Sequence, residues 1–265
     1  MNIVEAGKKL QSWTADKFLG HPVVFHHVPK CAGTSVARAL RMRYLTSQQG
    51  VVSGPSFYAA KAFNPNRTTL QLWPSVLDIR ERILLYHMYC GVRCIAAHVR
   101  FSNTAHEMFG AQYRFVTILR EPVSRYISHY FWDFHGSEEW ARIDVPLEEF
   151  VETEQGARYG LLFGEFYSSL PADGDFGSAA AVAAAKQNLH KFAAVGFLDD
   201  MSGFQDRLKD TLGVSVNIKH QNKGKVEEQT KRQVVTPELR RRIEKLCAPD
   251  IEIYNYARQT FMGRT

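Results

Sequence analysis

Residues 23–40, VVFHHVPKCAGTSVARAL, carry the side chains best placed to do chemistry. A run rich in β-branched residues stops at His26 and His27. Pro29, Lys30, Cys31, Ala32 and Gly33 then make a short glycine-containing turn, and Thr34 and Ser35 open a helical pattern. Strand, tight loop and helix start cradle phosphate, because the loop and first-turn N–H groups lack partners and point at the anion. Lys30 sets an ammonium beside that anion, with the two hydroxyls behind it. A second turn of the same build lies in FVTILREPVSRYISHYFWDF, residues 115–134, where Arg120 offers a planar fork suited to phosphate. Two such turns in one α/β chain imply a nucleotide bearing phosphate at two separate places.

The first turn departs from the Walker A pattern G-x-x-x-x-G-K-[ST]. It keeps Gly33, Thr34 and Ser35 but has no lysine just before the hydroxyl residue, and Lys30 stands early in the loop instead. No acidic residue ends a strand to hold magnesium. A P-loop kinase or NTPase thus lacks two working parts, and the chemistry expected is metal-free. For a proton acceptor, His98 closes the apolar run CIAAH, and ligands of an open parallel sheet gather beyond the carboxyl ends of its strands. An imidazole there can take a hydroxyl proton. His27 reads as a support for the loop, with His106 and His129 as reserve bases and Glu107 as a carboxylate that could act instead.

The elements that must position these groups alternate. Strands are expected at about 22–27, 94–99, 113–119 and 192–198. Helices are expected at 33–45, after Pro74, at 122–135, through the alanine-rich 179–186, and at 200–212, 237–247 and 250–261. Continuous apolar strands separated by helices predict an α/β fold, a P-loop-like three-layer sandwich whose central, mostly parallel sheet is flanked by helices. Residues 46–73, rich in Ser, Gly, Pro, Asn and Gln, read as an excursion with little regular structure. With 136–178, which holds Trp140, Arg142, Arg158 and Tyr159, they are expected to shape the acceptor side of one domain spanning 1–265. On helix 122–135, Val123, Tyr126, Ile127, Tyr130 and Phe134 make the apolar stripe, which leaves Ser124, Arg125 and Ser128 for a polar ligand.

HVPKCAGTS resembles the 5′-phosphosulfate loop of the carbohydrate O-sulfotransferases, the group that includes the heparan sulfate 2-O- and chondroitin sulfotransferases. Their loop reads H-[IV]-P-K-T-A-G-T-S, so Cys31 replaces a threonine. TILREPVSRYISHY is similar to their 3′-phosphate motif, with Arg120 and Ser128 at its arginine-to-serine spacing. IKHQNKGK, 218–225, with Lys223, followed by Asp250 and Tyr254, is a weaker third match. The resemblance implies 3′-phosphoadenosine 5′-phosphosulfate (PAPS) as donor, no metal, and an acceptor hydroxyl on a carbohydrate, possibly anionic. It implies Lys30 at the leaving phosphate and His98 as base, although the earlier histidine of the relatives' H-G-H is Ala96 here.

Composition sets the remaining bounds. A chain of 265 residues with 45% hydrophobic residues can bury a sizeable core. No run approaches the ~18 apolar residues of a membrane span. The net charge of +6 favours anionic ligands, but the basic residues are dispersed. Arg240, Arg241 and Arg242 read as a solvated helix face behind Leu239, Ile243 and Leu246, with Glu238 paired to Arg242 across one turn, so no nucleic-acid partner is expected. Cys31, Cys90, Cys94 and Cys247 make neither a disulfide framework nor a zinc spacing. The first residues show no secretory signal, and a cytoplasmic, bacterial-type location is expected, or a Golgi lumen if a leader has been trimmed. The competing class is a non-catalytic protein that keeps the nucleotide cradle or uses its basic surface for nucleic acid.

Overall fold

The computed structural model describes residues 18–136, 138–219 and 234–262. Its centre is a five-stranded sheet in the order β2-β3-β1-β4-β5. The strands are β1 (Val23–His26), β2 (Gln48–Gln49), β3 (Cys94–Ala97), β4 (Arg114–Leu119) and β5 (Ala194–Phe197), and every pairing is parallel. β1, β3 and β5 are buried at every position, and β4 at all but its first. Such strands must be continuous apolar runs, because both sheet faces are covered.

The helices are α1 (Gly33–Arg43), α2 (Ser53–Phe63), α3 (Thr69–Tyr89), α4 (Asn103–Phe109), α5 (Pro122–Phe134), α6 (Leu147–Phe150), α7 (Glu154–Tyr159), α8 (Leu162–Tyr167), α9 (Ala179–Leu189), α10 (Met201–Leu212), α11 (Pro237–Leu246) and α12 (Ala248–Phe261). The main core packs α1, α4, α8, α9, α10 and α12 on the sheet. A second cluster joins α5, α6, α7 and α11 through Val123, Tyr126, Tyr130, Phe150 and Ile243.

Register fixes where chemistry can occur. Val23 lies opposite both Cys94 and Arg114, and His26 opposite Ala97 and Thr117. β1 and β3 therefore end level while β4 runs on through Ile118 to Leu119, and the segments that begin at His27, His98 and Arg120 leave the same edge of the sheet.

Four expectations need correction. Residues 46–73 are not an irregular excursion: they form β2, all of α2 and the start of α3. α3 begins before Pro74, at Thr69, because Thr68 and Gln71 form a capping box, each side chain serving the other's backbone N–H. Phe134 does not complete the buried stripe of α5; it is exposed, and Phe131 is buried instead. On α11 the three arginines do face solvent, but Glu238 pairs with Arg241, while Arg242 reaches Glu152. Among the described residues, no helix is long and apolar enough to cross a membrane.

Candidate functional site

The turn between β1 and α1 is held in an unusual conformation. Lys30 and Ala32 both lie in the left-handed region, with φ of 65° and 58°. Such residues cost energy and persist where the surroundings over-determine them. Ala32 is the N-cap of α1 and contributes no side-chain bond to it, so the first-turn N–H groups at Gly33 and Thr34 have neither helical nor side-chain cap partners. Gly33 is required sterically: a Cβ there would fall 1.6 Å from Cδ2 of the His27 ring. That ring is itself stacked between Phe25, at 5.7 Å, and His98, at 4.0 Å. Thr34 is exposed and Ser35 buried. Cys31 is fully buried, and burial pushes its thiol up to about 11, so its side chain belongs to the core.

His98 follows the last residue of β3. Its Nδ1 lies 2.7 Å from the carbonyl oxygen of His27. A carbonyl only accepts, so Nδ1 carries the proton and the neutral ring presents its lone pair at Nε2. Burial lowers the His98 pKa to about 4, assisted by the charges of Arg80, Arg41 and Lys30 and opposed by the His27 bond. Two of these cations also hold the backbone: Arg80 donates to the His98 carbonyl at 3.3 Å and to Ser56 Oγ at 2.8 Å, and Arg41 donates to the Ala96 carbonyl at 3.1 Å. Neither arginine carried a signal in the sequence, since both act through backbone carbonyls far along the chain.

Arg120 reaches the same turn from β4, its Nη1 donating to the Lys30 carbonyl at 3.1 Å. Glu121 caps α5 by accepting from the N–H groups of Val123 and Ser124, at 3.0 and 2.8 Å. Ser128 is half-buried on α5. One turn further on, Trp132 lies beneath the Lys30 ammonium, with Nζ 3.8 Å from the ring centroid. Helical spacing from Ser128 could have found Trp132, since positions four apart share a face. Beside it, His129 Nε2 lies 3.3 Å from Asp133, and the His129 ring stacks on Tyr159 at 3.9 Å. Tyr159 donates its hydroxyl to Asp133, whose pKa burial raises to about 6 against the pull of that bond and of Lys30 and Arg158.

Arg125 is not available to a ligand. It is fully buried, donates to the Tyr159 carbonyl and pairs with Asp250 at 3.5 Å. Asp250 also accepts from the N–H groups of Phe163 and Gly164, so this pair ties α5, α8 and α12 together inside the core. His106 packs against Phe101 and Phe115 with Lys191 nearby, while Glu107 is exposed on α4. Lys223 lies outside the described residues.

The two long connections meet each other. Trp140 stacks on Phe57 at 5.4 Å, and Arg158 lies 3.8 Å over Trp73 while forking onto buried Glu165 at 2.9 and 3.0 Å. A cleft of about 440 Å³ runs between α1 and residues 215–219, lined by Ser35, Arg38, Met42, Arg43, Asn217 and Lys219. Among the described residues, no group of three or more His, Cys, Asp or Glu side chains is placed to hold a metal.

The parallel α/β sheet brings a lysine turn, an arginine turn and an oriented imidazole to one edge. The model of the sulfotransferase family matches residues 18–257, and the chain belongs to that family. It is thus a transferase, and its chemistry is sulfuryl transfer. No curated protein matches the chain. Among solved structures, a sulfotransferase from Alicyclobacillus acidocaldarius is 19% identical, over 88% of this chain and 94% of that one, with a TM-score of 0.48.

Proposed function

We propose that the protein transfers the sulfuryl group of PAPS to a hydroxyl of a carbohydrate acceptor. The observation that carries this reading is the meeting of three groups at one sheet edge: the turn at Lys30–Ser35, the Arg120 guanidinium bonded to it, and His98 with Nδ1 tied to the His27 carbonyl. The donor substrate fits these residues. Its phosphosulfate would lie against the first-turn N–H groups at Gly33 and Thr34, with Pro29, Cys31 and Ala32 shaping the turn. Arg120 and Ser128, with Lys223, would hold its 3′-phosphate. The cleft along α1, with Arg38, Arg43 and Lys219 at its walls, supports an anionic nucleotide on this side.

In the reaction, the acceptor oxygen forms a bond to sulfur as the bond from sulfur to the donor phosphate breaks. The acceptor proton passes to Nε2 of His98. Lys30 neutralises the charge that builds on the departing phosphate oxygen. The lowered pKa of His98 keeps its ring neutral, with the Nε2 lone pair able to take a proton. The paired connections that carry Trp73, Trp140 and Arg158 suit a sugar ring with anionic substituents.

A screen of hydroxylated glycans with labelled PAPS tests the reading. Label is expected to reach at least one glycan, and Lys30→Ala and His98→Ala should each abolish transfer while binding of the desulfated product, PAP, largely survives in His98→Ala. Binding of PAP without transfer to any hydroxylated acceptor would reduce the protein to a nucleotide-binding module.

A further inference from the structure

The half-exposed indole of Trp132 has no part in the core, yet it sits under the side chain to which the proposed reaction assigns the leaving-group charge. Lysine is a poor electrostatic catalyst when free, because its four-carbon stem samples many rotamers and its ammonium is strongly hydrated. Here both ends of the residue are held. The backbone is locked at φ 65° with its carbonyl bonded to Arg120 Nη1, and the ammonium rests 3.8 Å above the Trp132 ring. A ring face engages one side of an ammonium and leaves its other N–H groups for a phosphate oxygen. Trp132 also stands one helical turn from Ser128, so a single face of α5 would meet both the donor's phosphate and the lysine.

We infer that Trp132 is a positioning residue for Lys30, an aromatic platform that keeps the ammonium aimed at the donor before and during transfer. This rests on the PAPS reading above, and it adds a residue that acts through Lys30 rather than on the reacting atoms. A contact of this kind at a half-exposed ring is worth on the order of a fivefold change in affinity.

The test needs no acceptor. The full chain is labelled with 5-fluorotryptophan, and the Trp132 resonance is assigned by its loss in Trp132→Phe. Addition of PAP should shift that resonance in the wild type, Lys30→Met should shift it without ligand, and PAP should then move it no further. By calorimetry, Trp132→Leu should weaken PAP about fivefold, Trp132→Phe should restore affinity to within about twofold, and Lys30→Met/Trp132→Leu should be no weaker than Lys30→Met alone. If PAP binds but the two substitutions are additive, or the resonance ignores both ligand and Lys30→Met, the platform is wrong while the PAPS reading stands. If the wild type binds no PAP, both fall.

Discussion

Gly33→Ala gives the sharpest structural prediction. The added methyl would lie 1.6, 1.9 and 2.2 Å from Cδ2, Nε2 and Cγ of His27, distances no non-bonded pair of heavy atoms tolerates. The ring has little room to retreat, because Phe25 stacks on it at 5.7 Å and His98 at 4.0 Å. Overpacking of this kind costs about 1–3 kcal/mol, which for a chain of this size lowers Tm by roughly 2–12 °C. The larger effect falls on chemistry. A displacement of His27 passes directly to His98, and a misplacement of about 1 Å costs about 10²-fold in rate. Differential scanning calorimetry and labelled-PAPS turnover measure the two effects. Replacement of His27 by Ala removes the obstacle, so Gly33→Ala in that background should cost under about 0.5 kcal/mol, a coupling well outside additivity. An unchanged Tm and turnover in Gly33→Ala, or an equal cost with and without the His27 ring, would refute the reasoning.

Other consequences follow from the same geometry. The acid limb of kcat/KM should fall with a midpoint near the His98 pKa of about 4 rather than at 6.5, because a base with a lowered pKa stays unprotonated until the pH drops through that value; a pH–rate profile with its acid midpoint at 6 or above would count against His98. Arg80→Gln removes the largest positive charge lowering that pKa, so the midpoint should move upward, whereas an unmoved profile would show that Arg80 does not act on His98. Arg125→Ala leaves Asp250 buried without its partner and should cost about 3–5 kcal/mol in urea unfolding; a variant as stable as the wild type would return Arg125 to the ligand side.

The strands and the two turns were legible because their signals are local. Val23–His26 and Arg114–Leu119 sit inside a covered parallel sheet, which requires apolar residues on both faces, and each turn into a helix is marked by Gly33 or Pro122. α2 was hidden because SGPSFYAAKAF begins with residues typical of loops, although Gly54 and Pro55 fall in the first turn, where the missing N–H of proline costs nothing. Pro74 misled in the opposite way. Proline is a helix-start signal, although the Thr68 and Gln71 pair opens α3 before it.

The candidate site residues divide along the same line. Lys30, Gly33, His98 and Arg120 lie at strand ends, where sequence order alone predicts convergence. Arg125 departs from its sequence expectation because the polar side of an amphipathic helix can face another element as readily as solvent, and its carboxylate partner lies 125 positions further along the chain. Arg41, Arg80 and Asp133 escape for the same reason. Their roles are set by contacts to backbone carbonyls or to distant helices, which leave no periodic trace.

The most direct test is a calorimetric titration of PAP into the full chain, with ATP and magnesium in a parallel cell. One PAP site per chain is expected, weakened by Arg120→Ala and by Lys30→Ala, with ATP binding far more poorly. Heat from ATP and magnesium but none from PAP, or PAP binding indifferent to both substitutions, would contradict the assignment of these two turns to one sulfuryl donor.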